Sequence, residues 1–175
     1  MPRVMDGNDL DRVIRRIAHE ILETHSGAEM LTLIGIRTRG LPLAGRLAAA
    51  ILAFESVEVP VGGLRIDGYR DDLENQVDPS QSLEPSLPIA DRHIVIVDDV
   101  LYTGRTVRAS LDALSDLGRA RTTELAVMVD RGHRELPIRA DYVGKNLPTS
   151  RHERVQVRLE EIDGENGVWI VKAAA

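Results

Sequence analysis

The sequence predicts an α/β fold in which a mainly parallel, twisted sheet is flanked by helices. Short, continuously apolar runs such as Leu31–Ile36 and residues 93–97 are typical of buried parallel strands. They alternate with longer stretches whose apolar residues repeat at helical spacing, as in residues 9–23. With 175 residues and an apolar fraction of 43%, we expect one domain that spans residues 1–175.

The first third of the chain predicts two helices and two strands. Residues 9–23 place apolar side chains three and four positions apart, which predicts a helix with one buried face. Leu31–Ile36 is apolar at nearly every position and therefore predicts a buried strand. Residues 40–54 return to helical spacing, and residues 57–66 form a second strand candidate that two glycines weaken.

The remaining elements follow a long polar stretch. Residues 67–90 are acidic, contain three prolines and have few apolar anchors, which predicts a long loop or a loose hairpin that could act as a flexible lid. Residues 93–97 then predict a strand, and residues 104–117 predict a helix that Gly118 ends. Further strands are predicted at residues 125–129, 141–143, 155–159 and 168–171.

Composition narrows the possible functions. The chain has no cysteine, which excludes disulfides, thiolate metal sites and cysteine nucleophiles. No segment is apolar for long enough to cross a membrane, and residues 1–10 lack a secretory pattern, so a cytoplasmic protein is expected. The net charge of -6 is unusual for a nonspecific nucleic-acid binder, so any RNA contact requires a local basic patch.

The most informative segment is residues 94–106, where a predicted buried strand is followed by two carboxylates and a helix start. Asp98 and Asp99 suit the hydroxyls of a ribose or a cation. Thr103, Gly104 and Thr106 then open the helix, whose free amides and positive dipole end suit a phosphate. This pattern predicts a ribose 5-phosphate site. The alternatives are a magnesium-binding receiver-like domain or another doubly wound nucleotide-binding protein.

Two further segments could bind a diphosphate. Residues 35–40 form a turn with two cations between two glycines, although a solvated arginine turn would explain that segment alone equally well. At the base of the long loop, Arg70 could clamp a diphosphate, and Asp71 and Asp72 could steer its magnesium complex. The alternative is a mobile acidic loop with no role.

These motifs together resemble a known family. Residues 94–106 resemble the signature of type I phosphoribosyltransferases, which bind phosphoribosyl pyrophosphate there. From about residue 12 to residue 163 the chain resembles the bacterial PyrR family of pyrimidine operon regulators, which also have uracil phosphoribosyltransferase activity. The motifs that carry this resemblance are RIAHE (16–20), GIRTRG (35–40), YRDDL (69–73) and DRGHRELPIRADYVGKN (130–146).

The resemblance implies the type I phosphoribosyltransferase fold, with a small hood and a flexible lid loop over the site. It implies that Asp98 and Asp99 hold the ribose 2- and 3-hydroxyls and that residues 102–106 cradle the 5-phosphate. Purine-specific members carry an acidic residue at the position of Tyr102. The positions implied for phosphoribosyl pyrophosphate or nucleotide binding are Thr38, Arg39, Asp98, Asp99, Val100, Leu101, Tyr102, Thr103, Gly104, Arg105 and Thr106.

The implied reaction is a glycosyl transfer in which uracil and phosphoribosyl pyrophosphate give UMP and pyrophosphate. Asp98, Asp99, Arg39 and Arg70 are the expected catalytic residues. Mg²⁺ is expected to bind mainly through the substrate diphosphate, with Asp71 and Asp72 as further candidates. The expected contacts to the uracil base are Arg131 and the backbone at Val143.

The resemblance also implies regulation. Family members sense uridine nucleotides, UMP or UTP, and then bind a stem-loop in the leader of pyr mRNA, and they form homodimers or larger assemblies. Guanidinium groups suit RNA phosphates, although a solvated basic helix face is the plainer interpretation. An enzyme or nucleotide-binding protein without RNA regulation is the alternative. The positions implied for RNA binding are Arg15, Arg16, His19, Arg134, Arg139 and Lys145.

Overall fold

The computed structural model describes residues 1–70 and 78–174. The helices are α1 Gly7–His25, α2 Gly40–Glu55, α3 Arg105–Leu117 and α4 Glu160–Asp163. The strands are β1 Arg3–Met5, β2 Leu31–Ile36, β3 Val61–Leu64, β4 Leu83–Glu84, β5 His93–Leu101, β6 Thr122–Asp130, β7 Tyr142–Asn146, β8 Glu153–Arg158 and β9 Gly167–Lys172. Single 3-10 turns lie at Asp67–Tyr69 and Pro79–Gln81.

The main sheet confirms the predicted α/β class. Within the described residues it has the order β4-β3-β2-β5-β6-β7, and all neighbours pair in parallel except β3 and β4, which are antiparallel. Side chains of β5 alternate between the two faces: Val95 packs with α1 and α2, whereas Ile94 and Ile96 pack with α3. Helices therefore cover both faces of the sheet, as the unbroken apolar strands indicate.

A second, antiparallel sheet has the strand order β1-β9-β8 in the described part of the chain. Together with α4 it forms the unit that we call the hood. Trp169 on β9 is nearly buried, and the guanidinium of Arg158 lies 4.8 Å from the centre of its ring. The sequence predicts β8 and β9 but not β1, because a strand of only three residues carries too little periodicity to be recognised.

The described part of the segment at residues 67–90 contains a short strand, β4, and the flexibility predicted for the whole segment stays a prediction. From residue 78 onward the chain is packed: Ser82, Leu83 and Ile89 are buried, and β4 extends the main sheet. Two isolated apolar residues are enough to anchor this stretch, although they form no recognisable period. Asp71 and Asp72, the candidate metal contacts, lie outside the described residues.

Two strand boundaries also differ from prediction. The strand predicted at residues 57–66 is limited to Val61–Leu64; it follows Pro60, which has no backbone N–H to donate. In contrast, β5 continues past the predicted end at residue 97 as far as Leu101. Asp98 and Asp99 therefore lie inside a paired strand and not in the loop after it.

Among the described residues, no helix combines the length and the apolar character needed to cross a membrane.

Candidate active site

The carboxyl ends of β2, β5 and β6 meet at one edge of the main sheet. Parallel pairing sets Gly35 beside Val97 and Leu101 beside Asp130. This register brings together the three segments that the sequence predicts there, residues 36–40, 98–106 and 130–133. In open α/β sheets this edge is where ligands bind, so the fold assembles the candidate site from distant parts of the chain.

The backbone of β5 fixes both carboxylates of the candidate ribose site. The amide of Asp99 donates to Oδ1 of Asp98 at 2.9 Å, and the amide of Val100 donates to Oδ1 of Asp99 at 2.8 Å. Burial, and after it the charge of Asp99, raises the pKa of Asp98 well above its ordinary value. Two adjacent carboxylates held in this way favour a ligand that brings hydroxyl donors or a cation.

The turn after β5 presents the start of α3. Gly104 is the residue before the helix, has φ = +92° and offers no side-chain cap to the first-turn amides. An added Cβ would lie 3.3 Å from the Cβ of Ile138, so glycine meets both the backbone and the packing requirement. Uncapped amides at a helix start are suited to a phosphate.

Residues 131–138 hold this turn from behind. Arg134 donates to the carbonyl of Tyr102 at 2.6 Å and to Oδ2 of Asp130 at 2.6 Å, and its side chain is only 22% exposed. The amide of Glu135 donates to the carbonyl of Thr103 at 2.9 Å. Arg134, which is predicted to contact RNA, thus stabilises the turn after β5 that is the candidate phosphate site.

Arg131 closes another side of the site. It is 5% exposed, and its guanidinium lies 4.0 Å from the centre of the Tyr102 ring. The same group donates to the carbonyls of Ser150 and Glu153, at 3.0 and 2.7 Å. Nε2 of His133 donates to the carbonyl of Thr149, which gives this histidine a structural partner.

The candidate diphosphate loop at residues 35–40 depends on its two glycines. A Cβ on Gly35 would lie 2.3 Å from the carbonyl oxygen of Gly40, and one on Gly40 would lie 2.3 Å from that of Val97. No other residue fits, because backbone atoms surround both positions. The Arg37–Thr38 peptide bond is cis. Arg39 lies just before α2 and forms an ion pair with Asp163 of the hood at 2.8 Å.

The chain at Arg70 runs beside α3. The hydroxyl of Tyr69 donates to Oδ2 of Asp116 on that helix at 2.8 Å. Burial, and then this hydrogen bond, raises the pKa of Tyr69 to about 12. The chain just before the candidate lid is therefore attached to α3, the helix whose start is the candidate phosphate site.

The predicted RNA contacts form two groups. Arg16, Arg134 and Arg139 line an open cavity of about 680 Å³. Arg16 donates to the carbonyls of Val143 and Gly144, at 3.2 and 2.6 Å, and Lys145 is exposed on the same strand. Val143 thus lies in the main sheet with its carbonyl bound by Arg16, and the predicted base contacts at Arg131 and Val143 stay predictions.

Arg15 and His19 lie around a residue that the sequence did not single out. The His19 ring stacks on Phe54 at 3.9 Å and 16°, and the guanidinium of Arg15 is 6.0 Å from the centre of the Phe54 ring. Phe54 is the single phenylalanine of the chain. Its position near the end of α2 indicates a core contact in the sequence, and only the α1–α2 packing reveals the stack.

Within residues 1–70 and 78–174, no three or more His, Asp or Glu side chains lie close enough together to hold a metal ion by themselves. Asp98 and Asp99 do offer two adjacent carboxylates. Mg²⁺ commonly binds to one or two carboxylates when phosphates supply further oxygens. The residues present therefore fit a magnesium ion that arrives with a phosphorylated ligand.

Comparison with known proteins identifies the family. Residues 4–162 match the model of the phosphoribosyl transferase domain. Curated relatives named bifunctional protein PyrR include those of Deinococcus radiodurans (58% identical, covering 92% of this chain and 89% of the relative), Thermus aquaticus (58%; 94% and 92%) and Clostridioides difficile (55%; 96% and 96%).

Solved structures show the same fold at low identity. The hypoxanthine phosphoribosyltransferase of Staphylococcus aureus has a TM-score of 0.74 at 18% identity and covers 99% of this chain and 93% of its own. That of Trypanosoma cruzi has a TM-score of 0.71 at 16% identity, covering 99% and 98%. The chain therefore belongs to the phosphoribosyl transferase domain family and, within it, to the PyrR family.

Proposed function

We propose that this protein is a uridine-nucleotide-sensing regulator of pyr operon expression that binds mRNA and also converts uracil and phosphoribosyl pyrophosphate into UMP and pyrophosphate. The observation that carries the proposal is the paired carboxylates of Asp98 and Asp99 on β5, a short turn before the start of α3, where Gly104 provides no side-chain cap. That spacing fits a ribose between the acids and its 5-phosphate on the helix. Membership of the PyrR family is the basis for proposing uracil as the substrate and the pyr operon as the regulated target.

In the proposed reaction, N1 of uracil attacks C1 of the ribose, the bond between C1 and the diphosphate oxygen breaks, and the N1 proton is released to solvent as the diphosphate departs. Asp98 and Asp99 accept hydrogen bonds from the ribose hydroxyls and fix the ring, while the turn at residues 102–106 binds the 5-phosphate. Arg39 and Arg70 neutralise the leaving diphosphate. Mg²⁺, when bound with the substrate, withdraws charge from the same diphosphate. Arg131, stacked on Tyr102, shapes the base side of the site.

Substitution Asp98→Asn tests the ribose role. The amide keeps the size of the side chain but lacks the charge, so UMP formation should fall by about a hundredfold or more. Asp91→Asn is the matched control, because this exposed aspartate precedes the opposite end of the same strand. Unchanged turnover in Asp98→Asn would reject the ribose assignment.

RNA binding is tested separately. In a gel shift with the pyr leader stem-loop, UMP should strengthen binding of the wild-type protein, and Arg139→Ala combined with Lys145→Ala should weaken it. Both side chains are exposed beside the cavity lined by Arg16. If RNA binds in neither condition while UMP is still formed, the alternative of an enzyme without RNA regulation replaces the regulatory role.

We further propose that the protein acts in the cytoplasm as a homodimer or larger homo-oligomer. An apolar patch supports self-association: Leu52 on α2 is 48% exposed and borders an open cavity that also includes Ala48, Ala49 and Val59. Sedimentation equilibrium measures the mass directly. Leu52→Glu should shift it toward the monomer, whereas a wild-type protein that sediments at 19.3 kDa would contradict the proposal.

A further inference from the structure

The ion pair between Arg39 and Asp163 connects the diphosphate loop to the hood. Nη2 of Arg39 lies 2.8 Å from Oδ1 of Asp163, and the two side chains are 30% and 17% exposed. Arg39 is the residue before α2, whereas Asp163 ends α4, so 124 positions separate them in the chain. The contact exists only because the hood folds back over the carboxyl edge of the main sheet.

Asp163 is fixed independently of Arg39. Its Oδ2 accepts the amide of Leu159 at 2.9 Å, and its own amide donates to the carbonyl of Leu159 at 2.6 Å. Burial raises the pKa of Asp163, but the hydrogen bonds from Leu159 and Arg39 outweigh burial and lower the pKa below its ordinary value. The carboxylate is thus charged at neutral pH and held by its own helical turn.

A second ion pair already attaches α4 to α2. Arg46 donates from Nε and Nη2 to the two carboxylate oxygens of Glu161, at 2.8 and 2.5 Å, and also to Oδ1 of Asn166 at 2.7 Å. This bidentate pair is the geometry that holds two elements together most effectively. The hood is therefore attached to α2 without Asp163. The ion pair of Asp163 then acts mainly on the position of Arg39.

The ion pair with Asp163 satisfies only part of the Arg39 guanidinium. The Nε of Arg39 is buried and has no hydrogen-bond partner within residues 1–70 and 78–174. Buried donors are rarely left without an acceptor, and those that are commonly mark a ligand site. The Arg39 side chain is 30% exposed, and through this exposed part a diphosphate oxygen can approach the guanidinium while Nη2 stays on Asp163.

We propose that Asp163 is a positioning residue that holds the guanidinium of Arg39 in the orientation in which it binds the diphosphate of phosphoribosyl pyrophosphate. The inference rests on the proposed function, since it requires Arg39 to contact the diphosphate. A carboxylate near an anion also repels it. That repulsion is weakened by solvent around the partly exposed pair, whereas a free arginine would have to lose its side-chain freedom on every binding event.

The test compares Asp163→Ala and Asp163→Asn with Glu161→Gln, which breaks the neighbouring ion pair on the same two helices. Isothermal titration with magnesium pyrophosphate gives Kd, and initial rates give kcat and KM for each substrate. In Asp163→Ala, Kd for pyrophosphate and KM for phosphoribosyl pyrophosphate should rise about tenfold. Asp163→Asn keeps an acceptor oxygen and should show a smaller rise. KM for uracil should not change, and Glu161→Gln should leave all these values unchanged.

A double-mutant cycle with Arg39→Ala separates the positioning role of Asp163 from diphosphate binding by Arg39. Arg39→Ala alone should weaken pyrophosphate binding, and adding Asp163→Ala should weaken it no further. If Asp163→Ala binds pyrophosphate as well as or better than wild type, or if the two effects add, the positioning role is overturned while the proposed function stands. If Arg39→Ala binds pyrophosphate normally, Arg39 is not the diphosphate ligand, and both its catalytic assignment and the positioning role of Asp163 are rejected.

Discussion

Asp98 lies in an environment that opposes its negative charge when no ligand is bound, although the same position is the candidate ribose contact. Burial and the adjacent Asp99 charge both oppose ionisation of Asp98. The folded protein therefore holds a proton on this group more tightly than the unfolded chain does. Above the folded-state pKa the ionised group opposes folding, and a ligand hydroxyl or cation offsets that cost.

Asp98→Asn should therefore stabilise the ligand-free protein at neutral and alkaline pH. The gain should shrink as the pH falls through the raised folded-state pKa toward the ordinary value of 3.8, where the acid is protonated in both states. Urea denaturation at pH 8, 6 and 4 measures it. Glu161→Gln is the control of opposite sign: Arg46 lowers the pKa of Glu161, so this variant should lose stability at neutral pH. A stability difference in Asp98→Asn that is constant across this range would contradict the interpretation.

At the scale of elements, the glycines of the β2–α2 unit have opposite roles. Gly35 ends a buried strand where the following loop folds back onto it, and a Cβ there would meet backbone atoms of Gly40. Gly45 lies inside α2, and a Cβ there would have no heavy atom within 4 Å. The first glycine is required for close approach, whereas the second only lowers the helix propensity.

Gly45→Ala should raise the free energy of unfolding by about 0.5–1 kcal/mol, because alanine loses less backbone entropy on forming a helix. Urea denaturation measures this change. Gly35→Ala serves as the contrast and should destabilise by about 1–3 kcal/mol or more, because the backbone of the loop must move. A loss of stability in Gly45→Ala would show that the exposed side of α2 is packed against something, such as a second subunit.

At the scale of the whole molecule, charge distribution decides how RNA can bind. The net charge of -6 opposes a polyanion, so the cations around the cavity lined by Arg16, Arg134 and Arg139 must supply the attraction locally. Arg134 is already bound to Tyr102, Asp130 and the carbonyl of Ile138. Exposed Arg139 and Lys145 are therefore the side chains best placed to contact phosphates.

RNA affinity should fall as salt rises, with a modest slope because few phosphates are contacted. Arg139→Ala and Lys145→Ala should each reduce the slope of log K against log salt by about 1. Fluorescence anisotropy with the leader stem-loop at several salt concentrations measures this slope. The control is Arg121→Ala, an exposed arginine just before β6, at the opposite edge of the sheet, and it should change nothing. An equal effect of Arg121→Ala would indicate nonspecific attraction and would contradict a local RNA site.

Much of the fold follows from local pattern. The helical spacing of residues 9–23 predicts most of α1, and the apolar run at Leu31–Ile36 predicts β2 with its observed bounds. The α/β class, the family and the phosphoribosyltransferase activity are confirmed. The extent of one domain over residues 1–175 stays a prediction, as do the roles of the individual site residues.

The candidate site residues that a short motif reveals could be identified from the sequence alone. They are the carboxylates of Asp98 and Asp99, Gly104 at the helix start, and the glycines of the candidate diphosphate loop. Backbone geometry over a few residues fixes these, so a short motif records them. Only the tertiary structure decided that Arg39 meets Asp163, that Arg134 supports the Tyr102 turn and that Phe54 stacks on His19. These contacts join distant parts of the chain, and their geometry depends on how sheets and helices pack, which no local pattern encodes.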